Sequence, residues 1–233
     1  LAIRRGEVHS IVGENGSGKS TLMHVLSGYL SPDGGLIRIH GRTVENYSTR
    51  QALEHGVGML HQHVRLIREM RVWENIVLGS EPVGPCGRIQ HQAARRRLRE
   101  LAASYRLEID PDRYVSELGA EGIQRTALLT LLSHDVELII LDEPSSAAGE
   151  DAGGPGALIE RLTEKGKSVA LITHKLADAL SLSDRISVMR AGRLVTTGPA
   201  EDFTASKLSS LMMGEVYHPS KGRGKHRRGE HRE

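Results

Sequence analysis

The feature that most constrains this chain is Gly13-Glu14-Asn15-Gly16-Ser17-Gly18-Lys19-Ser20-Thr21, which fits G-x-x-x-x-G-K-S. It stands between two segments of different periodicity. Residues 7–13 alternate and then run apolar through Val8, Ile11 and Val12, the pattern of a buried strand. Residues 21–29 carry Leu22, Val25 and Leu26 at helical spacing. A strand, a glycine loop and a helix in that order form a cradle for phosphates. Gly16 and Gly18 permit backbone angles that aim successive N–H groups at phosphate oxygens, and the helix N-terminus adds its dipole. Lys19 supplies a positive charge for the β- and γ-phosphates, and Ser20 offers a hydroxyl to Mg2+. The expected ligand is therefore ATP with Mg2+, its phosphates lying on residues 13–21.

The remainder of the chain repeats the alternation of strand and helix. Short strands are expected over 36–40, 56–61, 137–141, 168–173 and 185–189, and helices over 90–105, 156–164 and 175–181, with a hairpin at Ala191-Gly192. The segment 137–141 is apolar throughout its core, as in a parallel strand covered on both faces. The expectation is an α/β fold with a mostly parallel sheet.

Two of these strands end in groups suited to phosphate chemistry. Asp142, Glu143 and Pro144 follow the apolar strand. A carboxylate at the carboxyl end of a parallel strand beside a phosphate loop is placed to hold Mg2+ through water, the role expected of Asp142. Glu143 is placed to polarise the water that attacks the γ-phosphate. In isolation the triplet also reads as a strand-to-turn transition with solvated acids; the phosphate loop tips the balance towards chemistry. His174, after the strand over 168–173, reaches the same sheet edge if it is functional and is structural otherwise. His61 and His63 share a strand face, but without a third ligand at suitable spacing no transition metal is expected there. Gln62 between them has the neutral amide needed to touch Mg2+ and water.

Composition narrows the class. The sequence has no apolar run near the ~20 residues that cross a bilayer, so a membrane role is expected to come through a partner. One cysteine, Cys86, allows no internal disulfide. The formal net charge of +2 is concentrated beyond His218, where six Lys/Arg stand against Glu230 and Glu233. The rest of the chain has no general basic field, so no nucleic-acid partner is expected. The tail 218–233 is expected to be disordered.

Taken in order, the phosphate loop, the Gln62 loop, a signature region, Asp142-Glu143-Pro144 and His174 resemble an ABC transporter ATPase over residues 5–214. The wording Gly56-Val57-Gly58-Met59-Leu60-His61-Gln62-His63, Val72-Trp73-Glu74-Asn75-Ile76 and Leu211-Met212-Met213-Gly214 is similar to the simple-sugar and nucleoside importer group. Members of that group often carry two such domains in tandem, and this chain resembles the amino-terminal type. The resemblance implies a P-loop NTPase fold over 1–217, with a small antiparallel β-subdomain and a helical lobe inserted at about 80–135. It also implies a second ABC ATPase domain pairing head to tail (a heterodimer is favoured here over a homodimer), transmembrane permease subunits, and a solute-binding protein acting indirectly. The location implied is the cytoplasmic face of the membrane. The catalytic set it implies is Lys19, Gln62, Glu143 and His174, with Ser20, Gln62 and Asp142 on the metal. Leu66, Ile67, Val72 and Trp73 are either the permease docking surface or ordinary core of the lobe.

The sequence departs from that family in three places. Its signature segment is Leu118, Gly119, Ala120, Glu121, Gly122 and Gln124, where the family has Leu-Ser-x-Gly-x-Gln. A carboxylate ~4 Å from a phosphate at an effective dielectric near 20 costs about 4 kcal/mol per unit charge before screening. Glu121 must turn away, shift the helix or weaken that site. Residues 145–150 replace those that usually link the two sites, and Gly153-Gly154-Pro155-Gly156 weakens the next helix start. The chain also begins without the strand and the adenine-stacking aromatic that precede this point in the family, as a fragment would. Two other classes remain in view: a catalytically weak regulatory or scaffold module, and a chromosome-type ATPase. The interval from Gln62 to Leu118 is too short for the long coiled coil of the latter.

Overall fold

The computed structural model describes residues 1–45, 47–61, 65–84, 88–144 and 154–214. Its main sheet has six strands in the order β4 (Val57–Leu60), β5 (Leu138–Asp142), β6 (Ser168–Ile172), β1 (Val8–Val12), β7 (Arg185–Arg190) and β8 (Arg193–Pro199). The first five are parallel, and β8 returns antiparallel along β7 through the Ala191-Gly192 turn. A separate antiparallel pair, β2 (Ile37–Ile39) and β3 (Arg42–Val44), makes the small second sheet. The expected architecture, a mostly parallel core with a small antiparallel piece, is what forms.

Both β1 and β6 are buried along their whole length, because helices cover both sheet faces. Period-two alternation sorts their side chains between two cores. Ile139 and Leu141 of β5 and Val169 and Leu171 of β6 face the helical lobe, with Trp73, Leu98 and Leu128. Ile140, Ala170 and Ile172 face the opposite way with Ile11 of β1, onto Met23 of α1 (Lys19–Leu26). A third cluster, with Ile186, Val188, Phe203 and Leu208, fills the far end.

The chain between β3 and β5 builds α2 (Thr49–Glu54), α3 (Val72–Val77), α4 (His91–Ser104) and α5 (Ala120–Ser133). Gly58 explains how closely α5 packs on β4: a Cβ there would lie 2.3 Å from Leu131 Cδ1. Val72 and Trp73 are buried in the lobe's core while Ile67 is exposed, so the first two belong to the core reading. After β5 come α6 (Gly154–Glu164), α7 (Leu176–Leu182) and α8 (Ala205–Met213). α6 begins two residues before the expected 156. Pro155 in its first turn explains this, since a helix's first N–H groups need no partner within the helix. Among the described residues, no helix is long and apolar enough to cross a membrane. Residues 145–153, Gln62, His63, Cys86 and the basic tail 218–233 lie outside the described residues.

Candidate functional site

Sheet order brings the expected site together. β5, β6 and β1 are neighbours and parallel, so their carboxyl ends deliver Asp142, Thr173 and Gly13 to one edge. The loop after β1 is tightly built. A Cβ on Gly13 would lie 2.3 Å from the Met189 carbonyl oxygen and 2.5 Å from Ser17 Oγ, so only glycine fits. The Ser17 N–H donates to Glu14 O at 3.1 Å, and the Gly192 N–H donates to Ser17 O at 3.0 Å, so the β7–β8 turn supports the loop from behind. Gly16 (φ +78°) and Gly18 (φ +96°) take the left-handed angles that side chains disfavour.

Lys19 opens α1 and is only 7% exposed. Its Nζ donates to the carbonyls of Gly13 and Glu14, both at 2.8 Å, and approaches Ser17 Oγ at 3.5 Å. Burial lowers its pKa, while the carboxylates of Glu143 and Asp142 oppose that shift.

On the opposite wall, burial raises the Asp142 pKa and the neighbouring Glu143 charge raises it further. A hydrogen bond with Ser20 and the charges of His24 and His61 act the other way. Glu143 has φ +51°, an uncommon conformation for a residue with a side chain. It is held there by its N–H donating to Ile172 O at 3.0 Å. Its carboxylate oxygen Oε1 lies 2.6 Å from His174 Nδ1.

The loop, both carboxylates, His174 and Ile172 wall one open cleft of about 860 Å³. Met212 of α8 joins them, a residue that the sequence reading quoted for its wording and gave no role. Clefts of this size accommodate nucleotide-sized ligands. Two adjacent carboxyl groups and the Ser20 hydroxyl form an all-oxygen donor set, which fits Mg2+ held partly by protein and partly by phosphates. The expected residues 13–16, 18–21, Asp142, Glu143 and His174 are thus brought together, with Ser17 buried beneath them. Gln62 lies outside the described residues.

The signature segment is elsewhere. Among the described residues, none of 118–124 lines the cleft. Gly119 caps α5, and a Cβ on Gly122 would meet Leu118 at 3.2 Å. Glu121 sits in the first turn, where its carboxylate accepts a hydrogen bond from Arg125 Nη2. Arg125 Nη1 donates to Glu108 O at 3.1 Å. The Glu121 side chain, 41% exposed, thus pairs with a cation of its own helix.

The family model for the ABC transporter domain matches residues 1–146. A Ralstonia nicotianae protein named for ribose, galactose and methyl galactoside import is 38% identical over 92% of this chain. The nucleoside import ATP-binding protein of Lactococcus lactis subsp. cremoris is 35% identical over 92% of it. The glucose import ATP-binding protein of Haloferax volcanii is 38% identical over 92%. The chain spans less than half the length of these curated relatives, covering 42%, 42% and 44% of them. A nucleotide-free ATP-binding cassette from an ABC transporter superposes with a TM-score of 0.72 over 91% of this chain and 87% of its own, at 22% identity. A dimeric bacterial ABC transporter cassette gives 0.71 over 86% and 88%, at 23% identity. The match over residues 1–146, more than half of the chain, means that the chain belongs to the ABC transporter family.

Proposed function

We propose that this chain binds and hydrolyses ATP to energise import of a small polar solute, a sugar or a nucleoside, as one half of a nucleotide-sandwich dimer. The observation that carries the reading is the Glu143–His174 pair at 2.6 Å, facing a lysine-spanned glycine loop across one cleft. The names of the relatives above support the solute class.

In this reading the loop N–H groups of residues 13–21 and the α1 N-terminus hold the phosphates. Lys19 exchanges its carbonyl partners for β- and γ-phosphate oxygens, which matches its buried position and two neutral acceptors. Glu143 orients and polarises the attacking water, and His174 keeps that carboxylate pointed at the γ-phosphate side. Mg2+, held by Ser20 and Asp142 with Gln62, would neutralise charge that develops on the phosphates.

The signature residues contribute nothing to this chain's own cleft, so a second ABC domain must supply that half. A heterologous partner is favoured, because Glu121 places a carboxylate where this chain's signature would meet the partner's phosphates. Residues 1–217 form the nucleotide-binding domain, with a lobe over about 80–135 and a basic tail over 218–233. Permease subunits would anchor it at the cytoplasmic membrane face, with a solute-binding protein acting at one remove.

The test is ATP turnover with the cognate partner. Glu143→Gln keeps the shape of the side chain and removes the base, so turnover should fall at least about 100-fold while ATP binding persists. Equal turnover would favour a regulatory or scaffold module. Strongly cooperative hydrolysis by the purified chain alone would rule out the asymmetric pairing.

A further inference from the structure

Three rings meet one helical turn away from the phosphate cleft, and none has a role in the chemistry above. His24 lies 5.1 Å from Tyr29 and 5.5 Å from His61, centroid to centroid, and Tyr29 lies 5.7 Å from His61. The planes are tilted by 45° to 58°, within the range of favourable ring packing. His24 and His61 are partly buried, and Tyr29, 61% exposed, closes the group on the solvent side.

Their placement on the elements matters more than the contacts themselves. His24 is four residues after Ser20 on α1, so the two side chains share one helix face. His61 directly follows β4, where Leu60 pairs with Leu141 of β5; the register therefore sets His61 beside Asp142. The His24–His61 contact thus bridges the same gap, from α1 to the strand ends, that separates Ser20 from Asp142. Electrostatics agrees with this proximity, since the Asp142 carboxylate interacts with both His24 and His61. The other tethers of α1's carboxyl end point elsewhere: Tyr47 Oη donates to Leu26 O at 2.7 Å, and Gly28 packs on Ser48. The rings tie this helix face to the end of β4, beside the Ser20–Asp142 hydrogen bond that joins it to the end of β5.

We propose that His61 is a positioning residue whose ring, packed on His24 and Tyr29, sets the spacing between Ser20 and Asp142 and thereby the affinity of the cleft for a divalent cation. The proposal rests on the reading of Ser20 and Asp142 as cation ligands. The ring acts by shape, not as a ligand. A phenyl ring should therefore replace it and a methyl group should not.

Mn2+ binding followed by electron paramagnetic resonance, with the β,γ-imido analogue of ATP present, reads the cation directly. In His61→Ala the Mn2+ affinity should fall about tenfold, the effect usual for residues that orient metal ligands. Affinity for the analogue in EDTA, without metal, should stay within about twofold of wild type. His61→Phe should keep Mn2+ affinity within about twofold, and Tyr29→Ala, at an exposed position, should lose about threefold. Unchanged Mn2+ affinity in both alanine variants would overturn the proposal. So would a His61→Phe variant as weak as His61→Ala, which would make imidazole chemistry the cause. A wild type that binds the analogue but never Mn2+ would overturn the ligand reading of Ser20 and Asp142 instead.

Discussion

Gly13 and Lys19 show how single residues make a phosphate site. The Lys19 ammonium is buried with two carbonyl acceptors at 2.8 Å and two carboxylates opposite, so a cation waits where a polyanion is to bind. The loop can curl beneath it only because Gly13 has no side chain. In Gly13→Ala the new Cβ would face the Met189 carbonyl of β7, a strand held on both sides by β1 and β8. The variant should lose about 2 kcal/mol of stability through overpacking, read by urea denaturation, and should bind ATP more weakly. Both residues were legible as a spacing of glycines and lysine. The left-handed backbone of Glu143 was not, because it arises from a hydrogen bond to Ile172 on the next strand.

At the scale of elements, a polar chain runs from Glu7 through His9 of β1 to β7 and β8 inside the sheet. His9 is fully buried, with Nδ1 3.2 Å from Glu7 Oε1 and Nε2 2.8 Å from Ser187 Oγ on β7; Ser187 Oγ lies 2.7 Å from Thr197 Oγ1 on β8. Burial lowers the His9 pKa below its usual 6.5 despite the hydrogen bond and charge of Glu7, and the Arg185 charge lowers it further. The unfolded chain therefore takes up the proton more readily than the folded one. The stability that His9 contributes is complete above pH 6.5 and is lost as pH falls through the depressed folded value. Urea midpoints measured from pH 8 to pH 5 should fall, and His9→Gln should flatten that fall. A profile of unchanged steepness in the variant would remove His9 as its source. Other elements differed in legibility for equally local reasons. α2 carries a capping box of Ser48 and Gln51 that announces its start, yet no helix was expected there. α5 is apolar around much of its surface because it is packed between β4 and the lobe, so its periodicity is weak.

For the whole molecule, the phosphate cleft joins β1, β5, β6, α1 and α8, so filling it should stabilise the folded chain as a unit. At 100 times its Kd, ATP adds about 2.7 kcal/mol. For a chain of this length each kcal/mol raises Tm by about 2–4 °C, so a rise of about 5–10 °C is expected in a calorimetric scan. A Tm indifferent to ATP would contradict the cleft's assignment. Within the sequence, local order determined the phosphate loop and the α/β class, because glycine angles, apolar runs and helical spacing act over a few residues. The juxtapositions came only with tertiary structure. Sheet order puts Asp142, Glu143 and His174 opposite Lys19, and α8 lends Met212. A parallel sheet decides which strand ends become neighbours by burying both its faces. That choice depends on packing between distant segments, which no local pattern records.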